Sequence, residues 1–576
     1  MDVPVVGDDP IREEVAAALT DVDVGVTDAT ADELADVPLA VVGGIAGAEV
    51  FATANRSARQ GNTPWIAVEV GGVGGHPISS IDAAVAAFGP DTACFECLRA
   101  RVRSTRDEPT SSKPRGARAN ARLAGAVAGR ECVRLLTDGG DDLRGSVLEL
   151  PHARRVVLPV PGCDCQESPR NRSIDPADDD ERSLEETVDA MDRAIDDRVG
   201  IVRSIGEIDS YPIPYYLATL ATTSPYSDAT APTNAAGVDE DWNRAFVKAI
   251  GEGLERYCAG VYRESDFVAA PAADLDRVLE PTDIVRPDDA ASFDPTASTL
   301  WIDGVELSSG ERTHLPADAI HFPQPGPGHV PQITTGLGLG SSVADALFAG
   351  LTEVVERDAT MLSWYSTFEP RELDVADDRF DRIARRVESE GLTVTPLVVT
   401  QDVDVPVVTV ALHRTDGEWP AFAVGSAADL NAVDAAQSAL AEATQNWMEL
   451  RSIGREESAD AGAWIGTYAS FPDPARAFVD TSESVAATDL GPGEDLDAQM
   501  AVETVVDRLV EADLTPYAGR ITTRDVEKLG LEAVRVVVPT AQPLFTDEPY
   551  FGDRAEAVPR ALGFEPLLDR EPHPYP

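Results

Sequence analysis

Between residues 11 and 90 the apolar positions alternate between two periods. "IREEVAAALTD" repeats its apolar residues at helical spacing and follows Pro10, a residue suited to a first helical turn. "PLAVVGGIAGAEVFATANRSARQG" reads as strand, glycine turn and helix, and "TPWIAVEVGGVGG" as the next strand. This alternation predicts an α/β unit of the Rossmann kind. "GGIAG" lacks the G-x-G-x-x-G spacing, so it reads as a tight turn and not as a phosphate loop. The helix "ARLAGAVAGRECVRLL" and the strand "SVLELPHARRVVLPV" complete the unit. Residues 166–182, "ESPRNRSIDPADDDERS", are charged and contain Pro and Ser, which predicts a linker between domains 1–165 and 183–576. The second domain opens on "SLEETVDAMDRAID", with Ser183 and Glu186 as a capping box. Beyond it, apolar helices at 240–262, in "SVADALFAGLTEVVERDATMLSWY" and in "DAAQSALAEATQNWMELR" alternate with the strands "LTVTPLVVT", "PVVTVALHR" and "PAFAVGSAAD". The expected fold is thus an N-terminal Rossmann-like α/β domain followed by a large α+β domain.

Composition narrows the setting. The chain has 576 residues, 101 of them acidic against 47 basic, and only three basics are lysine: Lys113, Lys248 and Lys528. Such an excess opposes nucleic-acid and anionic-membrane binding. No run approaches the roughly 18–20 apolar residues of a membrane span, and "MDVPVVGDDPIREE" has no secretory pattern, so a soluble cytoplasmic protein is expected. The acids are spread along the whole chain and lysine is nearly absent. That reads as adaptation to high salt, where screening shortens to about 3 Å at 1 M. The alternative is an acidic surface that attracts basic partners.

Three patterns carry chemistry. Cys94-x-x-Cys97 and Cys163-x-Cys165 supply two chelating pairs, which fits a structural tetrahedral zinc; a redox pair and unliganded cysteines are the alternatives. Cys132 and Cys258 sit in apolar helical patterns and read as core. The second pattern is E-x-x-E-R, found twice: Glu252, Glu255 and Arg256, then Glu353, Glu356 and Arg357. Residues three apart share a helix face, so each pair of carboxylates projects together from an apolar helix. Four such groups around one cleft repel unless cations lie between them. Mg2+ suits that place, and the arginines suit phosphate. A solvated ion-pair ladder is the alternative. The third pattern, "TTGLGLGSS", reads as a glycine loop that brings Ser341 and Ser342 to a helix N-terminus, an anion site, though it is not a Walker loop. The chain finishes on Pro572-x-Pro574-x-Pro576, which reads as an extended, placed tail.

At these residues the chain resembles a known family. "EGLERYC", "TTGLGLGSSVADALFAGLTEVVERD", "SALAEATQNWMELR" and "PHPYP" make residues 183–576 similar to the YcaO-domain enzymes. Asn55, "NTPWIAVE", "ACFECLRAR" and the later cysteine pair make residues 1–165 resemble a degenerate ubiquitin-activating-enzyme domain fused ahead of YcaO. The resemblance implies an ATP-dependent cyclodehydratase of thiazole/oxazole-modified peptide biosynthesis, of the streptolysin-type class. Glu252, Glu255, Glu353 and Glu356 would hold Mg2+ and ATP, with Ser342, Arg357, Glu442 and Gln445 around the nucleotide. Arg357 and the carboxylate of Pro576, as a base, would act in catalysis. The first domain, with structural Zn2+, would dock a ribosomal precursor peptide. A flavin dehydrogenase as a further partner and a homodimer are part of the same expectation. Alternatives are thioamide or amidine formation by the same ATP chemistry, and a noncatalytic precursor-docking scaffold.

Overall fold

The computed structural model describes every residue except 107–115, 138–142, 152, 166–169, 178–181, 459–463 and 492–495. Parts of the expected linker, 166–169 and 178–181, therefore lie outside the described residues. The chain forms two compact units. The first is Met1–Arg170 with Ala190–Ser204 and Thr219–Thr233; the second is Asn171–Asp189, Ile205–Ala218 and Asn234–Pro576. Two segments beyond residue 182 thus belong with the first unit. Ion pairs tie the nearer one: Arg155 to Asp196 at 2.8 Å, and Arg198 to Glu149 at 3.2 Å. Periodicity reports a segment's own pattern and not its distant partners, so the sequence gives no sign of this.

The first unit is built on a seven-stranded sheet. Its strands are β1 (Asp2–Val6), β2 (Gly25–Asp28), β3 (Ala40–Ile45), β4 (Trp65–Val70), β5 (Ala83–Phe88), β6 (Ser146–Leu150) and β7 (Ala153–Val156), in the order β2-β1-β3-β4-β5-β6-β7. The first four pair in parallel, with Ala40 opposite Trp65, as expected where helices return the chain. From β4 onward the pairing is antiparallel. The expected single strand at 146–160 is a hairpin of β6 and β7. Helices α1 (Ile11–Thr20), α2 (Val50–Gln60), α3 (Phe95–Ser104) and α4 (Arg118–Leu136) complete it. Val5, Val41, Ile66, Val85 and Cys132 are buried in one apolar core.

In the second unit three sheets matter for the site because of how each ends. β8 (Asn234–Val238) is the terminal strand of a three-stranded sheet, β9 (Leu337–Gly340) of a six-stranded sheet, and β10 (Phe422–Ala428) of a five-stranded sheet. Each terminal strand is followed by a long helix: α5 (Trp242–Gly260), α6 (Val343–Trp364) and α7 (Ala432–Ile453). All three helices start on a side-chain cap that satisfies an orphan backbone N–H. Asp241 accepts from Arg244 N at 3.0 Å, Ser342 from Asp345 N at 3.1 Å and Asn431 from Val433 N at 3.0 Å. Trp364 and Trp447 are fully buried on α6 and α7. β11 (Glu532–Val537) runs antiparallel to β9, with Leu337 opposite Arg535. Among the described residues, no helix is long and apolar enough to cross a membrane.

Candidate active site

The three strand–helix pairs are constructed alike. Each strand crosses its helix at a glycine: Gly237 on β8, Gly338 on β9 and Gly425 on β10. A Cβ there would lie 2.2 Å from Ala249 N, 2.1 Å from Ala346 O and 2.4 Å from Ala443 N, respectively. Only a residue without Cβ permits that approach. Near each glycine a backbone amide in the strand or directly before it donates to a glutamate of the facing helix. Ala236 N donates to Glu252 at 2.7 Å, Gly336 N to Glu353 at 2.9 Å and Ser426 N to Glu442 at 2.7 Å. One helical turn further on stand Glu255, Glu356 and Gln445, and after them Arg256, Arg357 and Asn446. Arg256 donates to Asn234 O at 3.4 Å, and Asn446 makes the matching bond to Val424 O at 2.8 Å. The motif seen twice in the sequence therefore has a third copy, in which Gln and Asn replace Glu and Arg.

The three corners open on one cleft of about 730 Å³. Glu252, Glu255, Glu353, Glu442, Gln445 and Glu449 line it, with Lys248, Arg256, Arg357 and Pro576. Glu356 stands behind this lining and accepts from the Ser426 hydroxyl at 2.7 Å. Burial raises the carboxyls above their ordinary range, and mutual repulsion adds to it. Glu255 is pushed up to about 8 by burial, Glu353 and Glu252. Glu356 is pushed up to about 8 by burial and Glu442, against the pull of Arg357. Glu252, Glu353 and Glu442 are raised by the same burial. The cations are too few to neutralise them. Arg256 pairs with Glu252 at 2.5 Å. Arg357 lies 3.9 Å from Glu353 and 3.6 Å from Glu356, and donates to Pro576 O at 3.4 Å. Arg535 on β11 donates to Thr334 and Ile333 carbonyls at 2.5 and 2.9 Å, and burial lowers its guanidinium to about 10 although Glu353 and Glu255 oppose this.

So many buried carboxyl groups in one cleft mark a functional site, and the sequence of the same region decides its family. The pattern of the family described as YcaO cyclodehydratase, ATP- and Mg2+-binding, matches residues 236–542, over half of the chain. The chain belongs to the YcaO family. It is an ATP-dependent enzyme of that family. An uncharacterized protein of Methanothermobacter thermautotrophicus is 26% identical over 378 residues, 62% of this chain and 93% of that protein. A heterocyclase solved in complex with substrate and cofactor has the same fold over the whole length, with a TM-score of 0.76, 18% identity, and 100% of this chain and 85% of that one covered. A YcaO protein of Methanopyrus kandleri, solved with AMPPCP and Mg2+, matches with a TM-score of 0.51 at 22% identity, covering 65% of this chain and 94% of that one.

Within this YcaO chain two expected features take another form. "TTGLGLGSS" is not an open phosphate loop: Leu337–Gly340 is strand β9, and its glycines serve the close crossing of α6. Ser342 is buried as the cap of α6 and is not among the residues lining the cleft; the Ser341 hydroxyl donates to Asp345 at 2.6 Å. The terminal segment is held down as its prolines suggest. Trp364 Nε1 donates to Glu571 O at 3.0 Å, the Tyr468 hydroxyl to Pro572 O at 2.5 Å, and Tyr575 is fully buried. The motifs do not point to Lys248, Glu449 or Arg535. Glu449, which accepts from Gln445 at 2.9 Å, lies one turn beyond the third copy of the motif, and its position in "NWMELR" is the signal that could have found it.

In the first unit Cys94, Cys97, Cys163 and Cys165 come together, their sulfurs all within 4.8 Å of one another. Cys94 lies 3.7 Å from Cys163, Cys97 3.5 Å from Cys165, and Cys94 3.9 Å from Cys97. Cys97 also accepts from Val160 N at 3.3 Å. Cys132 and Cys258 are fully buried, away from this cluster.

Proposed function

We propose that the chain closes azoline rings on a ribosomal precursor peptide, as an ATP-dependent cyclodehydratase. The observation that carries this is the convergence of Glu252, Glu255, Glu353 and Glu442 on one cleft with Arg357 and Pro576. Glu252, Glu255, Glu353 and Glu356 fit Mg2+: they are hard oxygen donors whose burial is offset by too few cations. Bound there, Mg2+ supplies charge neutralisation and Lewis-acid polarisation at phosphate oxygens. Arg357, fixed between two glutamates, presents a planar fork to phosphate. Glu442 and Gln445 belong to the nucleotide's surroundings in this reading, and Ser342 acts by capping the helix that carries Glu353 and Glu356.

In the reaction, a Cys, Ser or Thr side chain of the peptide adds to the carbonyl carbon of the preceding amide. The resulting oxyanion takes the γ-phosphoryl group of ATP, releasing ADP. The amide nitrogen's electron pair then expels phosphate, and loss of the N–H proton leaves the C=N bond of the ring. An amide oxygen is a poor leaving group and phosphate a good one, which is why ATP is consumed. Positioning and charge neutralisation are the enzyme's share. The carboxylate of Pro576, beside Arg357, is the proposed base. A flavin dehydrogenase acting on the product is the further partner of this reading.

The first unit is proposed to dock the precursor, with zinc as its staple. The sulfur cluster fits: zinc–thiolate bonds of about 2.3 Å make a tetrahedron with edges of about 3.8 Å, close to the separations found. Elemental analysis of the purified chain should find one zinc per chain, lost on Cys97→Ser; a metal-free, folded wild type would remove the staple.

The decisive assay measures ATP turnover with Mg2+ in high salt, with and without precursor peptide, and follows the peptide by mass spectrometry. Wild type should show peptide-stimulated hydrolysis and loss of one water per ring; Glu353→Gln should lower the rate by about a hundredfold or more. Exchange of oxygen for sulfur would move the assignment to thioamide formation. A wild type that binds no ATP would leave the scaffold as the better account.

A further inference from the structure

Lys248 stands one helical turn before Glu252 on α5 and lines the same cleft. It is one of three lysines among 47 basic residues, in a chain that otherwise places its positive charge as arginine. The arginines of the cleft are tied to its own glutamates, Arg256 to Glu252 and Arg357 to Glu353 and Glu356. Lys248 is tied elsewhere. Its Nζ lies 2.9 Å from Asp239 Oδ2, while its side chain is 46% exposed and that of Asp239 only 1%.

Lys248 helps to hold the Asp239 carboxylate in its charged form, and it is not the only group that does so. Arg379 Nη2 donates to both of its oxygens at 2.8 Å, and Asp241 N donates to Oδ1 at 3.2 Å. Arg379 is itself fixed, since its Nη1 donates to Gln437 Oε1 at 2.9 Å and its Nε lies 3.4 Å from Glu240. Breaking a buried ion pair is costly because it strands a charge. Departure of Lys248 leaves Asp239 paired with Arg379 and bonded to Asp241 N. The ammonium has a flexible four-carbon stem and three rotatable donors, whereas a guanidinium fork is held by its plane. Glu252, Glu353, Glu442 and Glu449 of the cleft already accept from backbone amides or a neighbouring side chain. The phosphates of a nucleotide add a further anion for a released lysine, and the backbone amide of a peptide does not.

We propose that Lys248 is a mobile cation, paired with Asp239 when no nucleotide is bound and moving to the terminal phosphates when one is. This rests on the reading of the cleft as a nucleotide site and adds a specificity-determining residue to it. Lys248 then discriminates by phosphate number, and affinity for ATP depends on it while affinity for AMP does not.

The test is calorimetric titration of the full chain with ATP, ADP and AMP, in high-salt buffer with Mg2+, for wild type, Lys248→Met and Lys248→Arg. The Met variant should bind ATP about tenfold more weakly, with AMP affinity unchanged and an unchanged thermal melt. The Arg variant should recover most of the ATP affinity. Equal weakening of ATP and AMP, or a drop in melting temperature with affinities intact, makes Lys248 a structural strut and overturns the proposal. A wild type that binds none of the three overturns the nucleotide reading itself, a result distinct from any effect of the variants.

Discussion

At the scale of single residues, burial holds the glutamates of the cleft toward the protonated form. Glu255 and Glu356 sit at about 8 in the folded chain against an ordinary 4.5. Between those values the folded chain binds more protons than the unfolded one. Stability without metal therefore falls as pH rises through that window. Mg2+ with nucleotide favours the ionised form and should cancel the slope. Thermal melts at roughly pH 6 and pH 8.5, with chelator and then with Mg2+ and ATP, check this, and Glu255→Gln should flatten the chelator curve. A chelated protein more stable at the higher pH would show that these carboxyls are not strained by burial. The residues behind this prediction were largely legible in the sequence. Glu252, Glu255, Glu353 and Glu356 announce themselves because E-x-x-E-R on an apolar helix combines spacing with an unusual burial demand. Arg535 and Lys248 do not, because their partners, Thr334 and Asp239, are fixed by folding and share no motif with them.

At the scale of elements, the site depends on backbone approaching backbone. The glycines at Gly237, Gly338 and Gly425 were visible as letters, yet glycine before a helix has two meanings, a phosphate cradle or a close crossing. As letters alone "TTGLGLGSS" suggests the first, and β9 shows the second. The third copy of the motif was hidden for a related reason. Gln445 and Asn446 break the residue pattern, while their contacts to Glu449 and Val424 O preserve the architecture. Ser342 provides a test at this scale. As the cap of α6 it should contribute stability and little nucleotide affinity, so Ser342→Ala should cost about 1 kcal/mol. ATP KM should stay within twofold or so of wild type. Denaturant melts and steady-state kinetics measure the two separately, and a large rise in KM at unchanged stability would return Ser342 to the nucleotide.

At the scale of the whole molecule, charge dominates. A formal net charge of -54 repels itself unless ions intervene. Raising KCl from about 0.1 M to about 1 M shortens the screening length from roughly 10 Å to roughly 3 Å. The melting temperature should climb across that range, and a flat or falling profile would end the salt-adapted reading. Fold class was readable at this scale because alternating periods report layers. The division into two units was not, because Ala190–Ser204 joins the first unit through Arg155 and Glu149, and Thr219–Thr233 through Ser104 and Arg101, all far away in sequence.

The scarcity of lysine has a practical consequence. An amine-reactive acylating reagent meets three lysines in the entire chain, and one of them stands half-exposed in the cleft. The unmodified protein thus carries its own footprinting label. Mass spectrometry of the peptide containing Lys248, with the exposed Lys528 as internal reference, would register cleft occupancy in the wild-type chain with neither a mutation nor a peptide substrate.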